Sequence, residues 1–422
     1  MIIIRNHQQT KKKDVYNLLF GRIATNIADS LFYMAILWHF KEVSHSPFIV
    51  SIIFAVASGI DMISFGFGPL IDRISIKKLL ESSTFLQAAI SVITFLILYL
   101  RIDNLIISII LITLYIASTI LSAIIYPAEY KLLPLFVSEK ELLRFNGIFQ
   151  LTYRVLDLLL DAGVTVIITL TSIPITVVLS AIVFAIALKF YGSLKINLAA
   201  KEFLEEDEYF TGSYRKDMAL GWKTLRKEKN ILELILPIAF TNFFYGIFSV
   251  GLPYFAQSYI RDSALGYGTM LFTSSLGSIG GTLLVQRFKI GKKDMQIFIA
   301  ICFLGAGIFR VLVPISIYLN IWVLLVASAI SSMWITMMNT NFEALVQTSF
   351  SSSILGRVET INDSILSAMI PIGTLVGGWI IKVSGSLMTQ YIYGAALLLS
   401  AVYYFLILKD KKQKNVSDNE IE

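Results

Sequence analysis

From residue 15 onward the chain alternates long apolar runs with short polar breaks. The runs fall near 15–39, 47–70, 79–100, 105–126, 146–170 and 173–191, then near 231–256, 265–285, 295–318, 320–342, 360–382 and 387–408. Each is close to the ~20 residues that a helix needs to cross ~30 Å of hydrocarbon. The pattern predicts an all-α membrane protein of twelve transmembrane helices in two pseudo-symmetric six-helix bundles. The expected organisation is an N-terminal bundle over 1–191, a central loop over 192–229, a C-terminal bundle over 230–408 and a tail over 409–422.

Basic residues test that count independently, because Lys and Arg accumulate in cytoplasmic loops. Twelve spans put both termini on one side. Of the 35 Lys and Arg, 28 fall on that side, and only Lys41, Arg101, Arg261 and Lys382 fall on the other. Arg22, Arg154 and Arg310 lie inside runs. A wrong count would scramble the asymmetry, so both termini are expected in the cytoplasm. The net charge of +6 is this topology signal and implies no nucleic-acid partner.

Composition removes other classes. Charged residues are 15% of the chain, against about 25% in soluble domains. The basic opening (Arg5, Lys11, Lys12, Lys13) leads into a run too long for a cleavable signal. One cysteine, Cys302, and three histidines, His7, His39 and His45, give neither a disulfide nor a metal-ligand pattern. No phosphate-binding loop ending in Gly-Lys-Ser/Thr occurs, so no cofactor or bound ATP is expected. Nothing resembles a Ser/His/Asp, His/Glu or Cys/His arrangement, and an enzyme is not expected.

The central loop carries an acidic run, Glu205 to Glu208, and then a basic amphipathic stretch over 213–230. Met218, Trp222 and Leu225 face away from Lys223, Arg226 and Lys227 there, as in a helix lying at the membrane surface or a plain tether. The halves also align. A shift of 214 places Arg73 on Arg287 and Gly66 on Gly280, and a shift of 213 places Arg144 on Arg357 and Asp29 on Asn242. A duplicated six-helix unit puts a substrate site between the halves, near the membrane midplane.

After the second run the chain reads Gly68-Pro-Leu-Ile-Asp72-Arg73-Ile-Ser-Ile-Lys77-Lys78. This resembles the loop signature of the major facilitator superfamily, Gly-x-Leu-x-Asp-Arg-x-Gly-Arg-Lys. Ser75 and Ile76 depart from it. Three further segments resemble the drug-antiporter branch that contains macrolide-efflux and siderophore-export proteins. They are Tyr126-Pro127-Ala128 through Leu133-Pro134 to Glu141-Leu142, Gly221-Trp222-x-x-Leu225, and Gln347 through Gly356-Arg357-Val358 to Pro371-x-Gly373. The Gly-Pro-rich antiporter motif of some drug exporters is missing from the fifth run. The resemblance implies a monomeric secondary transporter in a bacterial cytoplasmic membrane, moving a small molecule.

Gly68, Asp72, Arg73 and Lys77, with Glu129 and Arg357, are the expected gating residues. Asp72 would meet the positive end of a helix from the other half, and Arg73 a carboxylate such as Glu129.

Ionisable groups at membrane depth cost several kcal/mol and need a reason. Arg22, Asn26 and Asp29 stand at i, i+4 and i+7 on one face of the first run. The fifth run carries Gln150, Arg154, Asp157 and Asp161, and the second adds Asp61. Around one cavity, two arginines would answer two aspartates, leaving two that take up protons or bind a cation. The second half offers Asn242, Asn339, Asn341, Asn362 and Asp363 for polar contacts, and Arg310 is expected to snorkel outward. Gly266, Gly268, Gly277, Gly280, Gly281, Gly377 and Gly378 mark closely packed helices. The leading expectation is proton-coupled export of a small amphipathic or cationic molecule such as a drug. Siderophore or metabolite export, uptake on the same fold, and a non-transporting sensor or immunity protein are the alternatives.

Overall fold

A computed structural model describes residues 12–44, 46–63, 75–102, 104–137, 139–195, 222–261, 263–285, 287, 290, 294–350 and 352–419. Their regular structure consists of helices: α1 (Lys12–Val43), α2 (Pro47–Ile63), α3 (Ile76–Tyr99), α4 (Leu105–Phe136), α5 (Glu139–Leu170) and α6 (Ile173–Gly192) precede the central stretch. After it come α7 (Lys229–Tyr259), α8 (Ala264–Val285), α9 (Met295–Ser316), α10 (Ile321–Ser349), α11 (Ser352–Ser367), α12 (Ile370–Ser384) and α13 (Ser386–Asn419). The twelve apolar runs map onto these thirteen helices because the eleventh run is broken. Pro371 lacks the N–H that would continue the ladder, and the chain turns at residues 368–369.

Eight of the described helices are long and apolar enough to cross a membrane by length and composition. α2 contributes a shorter apolar segment, Pro47–Ile60. The apolar content of α1 and α5 is diluted by the charged sets that the sequence singles out.

The described helices divide into two compact units. The first holds α1, α3, α4, α5 and α6; the second holds α2 and α7 to α13. In the first unit, α1 packs against α4, α5 and α6, while α3 packs against α4 and α6. Val15, Leu18, Leu79, Leu80, Ile125, Leu132, Phe136 and Tyr191 lie in its apolar core. Asn104 and Ser172 start α4 and α6 by accepting the Ile107 and Ile175 amides through their side chains. Gly21 is where α1 lets the Tyr191 ring approach, since a Cβ there would collide with that ring.

In the second unit, α7 packs against α8, α11, α12 and α13, and α9 against α10 and α13. The α7–α12 crossing is backbone on backbone: a Cβ on Gly246 would strike the Ile370 carbonyl, and one on Gly373 the Phe243 carbonyl. Gly277 and Gly281 of α8 meet the Ala329 and Met333 carbonyls of α10 in the same way, as small residues at helix crossings do. Gly280 faces open space instead. Of the central amphipathic stretch, 222–227 is helical, with Leu225 buried and Trp222 exposed beside Lys223, Arg226 and Lys227. Met218 lies outside the described residues.

Candidate functional site

The first unit contains a polar seam built around α1. At one level, Arg22 of α1 donates through Nη1 to Glu129 Oε2 of α4 at 2.6 Å, and the pair is almost fully buried. Tyr191 of α6 donates its hydroxyl to Glu129 Oε1 at 2.5 Å, so both carboxylate oxygens are engaged. The Arg22 guanidinium also lies over the Tyr153 ring of α5, 4.9 Å from its centroid. One buried ion pair thus ties α1 to α4, with α5 and α6 contributing aromatic groups. The sequence assigns Glu129 to the gate opposite Arg73; the structure gives it Arg22. Asn26 turns back and donates to the Arg22 carbonyl at 2.8 Å.

Two turns along α1, Asp29 is partly buried and meets only neutral donors. Gln87 Nε2 of α3 donates to Oδ1 at 2.8 Å, and Ser122 Oγ of α4 donates to Oδ2 at 2.7 Å. Among the described residues Asp29 has no ion pair. The neighbouring Ser30, about 100° further round the helix, donates to Asp161 Oδ1 of α5 at 2.6 Å. Asp29 and Asp161 therefore address different sides of α1, the first towards α3 and α4, the second towards α5. Asp157 lies one turn from Asp161 with its side chain exposed. The side chains of Asp61, Gln150 and Arg154 fall outside the described residues.

Sequence reasoning missed Gln87, Ser122, Tyr191 and Ser30. A signal existed for the first: Thr84, Gln87, Ser91 and Thr94 follow helical spacing along α3, and all four are fully buried. Ser91 meets Ser180 of α6 at 3.3 Å, and Ser180 donates to the Ala28 carbonyl of α1 at 2.9 Å.

Of the expected gate, Gly68, Asp72, Arg73 and the Arg357 side chain lie outside the described residues. Lys77 is described, and its ammonium donates to the carbonyls of Gly192 and Leu194 at 3.0 and 2.8 Å. It thereby neutralises the negative end of α6, with Glu81 3.7 Å away.

In the second unit, Asn242 of α7 donates to the Leu366 carbonyl at 2.8 Å, satisfying an acceptor beside the break between α11 and α12. Asn339 is exposed, and Asn341 bonds back to the Met337 carbonyl. Asn362 is buried and donates to the exposed Asp363 at 3.3 Å. These groups are spread over α7, α10 and α11, and among the described residues their hydrogen bonds do not join them in one cluster.

Arg310 departs from expectation. It does not snorkel; it is 3% exposed, with its guanidinium 4.5 Å from the Phe248 centroid and 5.7 Å from that of Tyr393. The face of α9 that carries it points at α7 and α13, and ring faces take the place of water. Its Nε and Nη1 make no hydrogen bond. A buried charge with unsatisfied donors is costly, and an apolar chain of similar length removes that cost. Arg310→Met is therefore expected to unfold at the same temperature as the parent or higher, measured on the purified protein. A clear fall would mean that the guanidinium is held by more than these rings.

The whole chain has recognisable relatives. The Major Facilitator Superfamily family model matches residues 18–358. Macrolide efflux protein A of Streptococcus pyogenes is 23% identical over 374 residues, covering 86% of this chain and 88% of that protein. The fold is shared with a solved nucleoside transporter at a TM-score of 0.66 and 11% identity, over 93% of this chain and 99% of the other. A POT family transporter in complex with a thioalcohol-conjugated peptide gives 0.66 at 12% identity, over 94% and 96% of the two chains. With apolar helices long enough to span a bilayer and a family match over most of its length, the chain is a multi-pass membrane transporter belonging to the Major Facilitator Superfamily.

Proposed function

We propose that this protein is a proton-coupled secondary transporter that exports a small amphipathic or cationic molecule across a bacterial cytoplasmic membrane. It works as a monomer with both termini in the cytoplasm. The observation that carries the coupling is the inequality between two carboxylates of the first unit. Glu129 is matched by Arg22, whereas among the described residues Asp29 receives only neutral donors. An unmatched carboxylate at membrane depth is costly as an anion, and a proton or a cationic substrate relieves that cost. Mutually exclusive occupancy of such a group is what exchange of protons against a cation requires. The distant likeness to a macrolide efflux protein supports export and a drug-like substrate.

The test is flux in proteoliposomes loaded with a pH-sensitive dye, challenged with macrolides and other amphipathic cations under an imposed proton gradient. Substrate-dependent proton movement out of step with the empty-liposome control is expected for at least one macrolide. Substrate transport that proceeds at full rate with the gradient collapsed would remove the coupling from this reading.

A further inference from the structure

Gln87 occupies a position that links Asp29 to the contact between α3 and α4. Its side chain is fully buried, and its amide nitrogen has two acceptors: Asp29 Oδ1 at 2.8 Å and the Ser118 carbonyl of α4 at 3.3 Å. Its Oε1 has no hydrogen-bond partner. Because both acceptors face the same –NH2, the amide orientation follows from the network. Ser122 completes the set by donating to Asp29 Oδ2.

Among the described residues, both side chains that hydrogen-bond to Asp29 act as donors, so the arrangement suits a carboxylate and does not suit a carboxylic acid, whose O–H needs an acceptor. Two rearrangements can supply one. With the proton on Oδ1, the Gln87 amide must turn over, presenting its partnerless Oε1 to Asp29 and withdrawing its –NH2 from Ser118. With the proton on Oδ2, the Ser122 hydroxyl must accept, and its own hydrogen needs a new acceptor. The carbonyl one turn back on α4 is that of Ser118, and Thr119 on the same helix already uses its equivalent, donating to the Tyr115 carbonyl at 2.8 Å. That hydroxyl would compete with the longer Gln87 bond for the same oxygen. Either route ends at the Gln87–Ser118 tie.

We propose that Gln87, together with Ser122, senses the proton on Asp29 and passes it on as a loosening of α3 from α4 at the Ser118 carbonyl. This rests on the reading of Asp29 as the proton-binding group. Gln87 is thus a positioning residue: it is fully buried and acts through Asp29. Other charged or titratable groups on the helices packed around α1 include Arg22 and Tyr33 on α1 itself, Glu129 and Tyr115 on α4, Asp157 and Asp161 on α5 and Tyr191 on α6. Arg22, Glu129 and Tyr191 are joined in one network, and Asp161 is held by Ser30. Among the described residues, the α3 group that meets Asp29 is the neutral Gln87.

The experiment uses the full-length protein in nanodiscs, with spin labels on exposed positions of α3 and α4. Inter-label distance is followed against pH, and the Asp29 carboxyl band against pH by difference infrared spectroscopy, assigned by its loss in Asp29→Asn. The parent should show a distance change that tracks the carboxyl band, and Asp29→Asn should show none. Gln87→Met should keep the carboxyl band titrating and lose the distance change. Ser122→Ala, a milder change at a partly buried site, should reduce it, and Ser122→Thr should restore it. A carboxyl band that titrates in the parent without any distance change overturns the sensor and leaves Asp29 as the proton site. So does a Gln87→Met protein whose distances follow pH as the parent's do. Absence of a titrating Asp29 band strikes instead at the proposed coupling, and takes the sensor with it.

Discussion

Asp29→Asn is expected to abolish proton movement coupled to substrate while leaving the protein folded and inserted. The amide has nearly the shape of the carboxylate, and its oxygen can still accept from Ser122 or Gln87. Its –NH2 must then face a donor, a clash worth about 1–3 kcal/mol if nothing turns, and less once the Ser122 hydroxyl or the Gln87 amide rotates. Against that stands the removal of an unmatched buried charge, so little net change in the unfolding temperature is expected. Transport is another matter, because no titratable group remains where Asp29 stood. Flux assays in proteoliposomes and thermal unfolding of the same preparation separate the two effects. Undiminished proton-coupled transport in Asp29→Asn would show that coupling resides elsewhere, with Asp161 next to be tested.

The apolar runs were readable because lipid imposes a length: every span must bury its backbone in a helix of similar extent. The helices nevertheless outrun the runs. α4 continues to Phe136 and α5 begins at Glu139, each past the apolar limit expected near residues 126 and 146. Backbone hydrogen bonding does not stop where side chains become polar, and this is why Glu129 reads as a loop carboxylate in the sequence yet belongs to α4. The break in the eleventh run had a local sign in Pro371, but its repair by Asn242 is non-local and has none. Arg22 and Asp29 announced themselves because a charge in an apolar run is rare and costly. Gln87 and Ser122 did not, since a lone amide or hydroxyl hardly disturbs hydropathy, and their importance comes from what they touch across helices. Arg310 was misjudged for a related reason. Which face of α9 it occupies depends on α7 and α13, and the aromatic residues that receive it lie far away in sequence.

The largest effect on stability is expected at Arg22 and Glu129. Arg22→Ala would leave a carboxylate that is 2% exposed with the Tyr191 hydroxyl but without its cation. Breaking a buried pair from one side typically costs about 3–5 kcal/mol, because the remaining charge is uncompensated. Glu129→Ala strands the guanidinium instead, with the Tyr153 ring giving back part of the loss through its cation–π contact. The smaller penalty is therefore expected for Glu129→Ala. Replacing both residues by methionine removes the charges together and keeps most of the volume, so the double variant should unfold close to the parent and well above either single variant. A thermodynamic cycle of Arg22→Met, Glu129→Met and the double methionine variant on purified protein, followed by thermal or denaturant unfolding, measures the coupling directly. Strict additivity of the two single effects would mean that the ion pair does not act as a unit. The same double variant also decides what the pair is for. If it is stable and still transports, Arg22 and Glu129 serve to join α1 to α4. If it is stable and does not transport, the charge pair itself takes part in the transport cycle, two turns along α1 from Asp29.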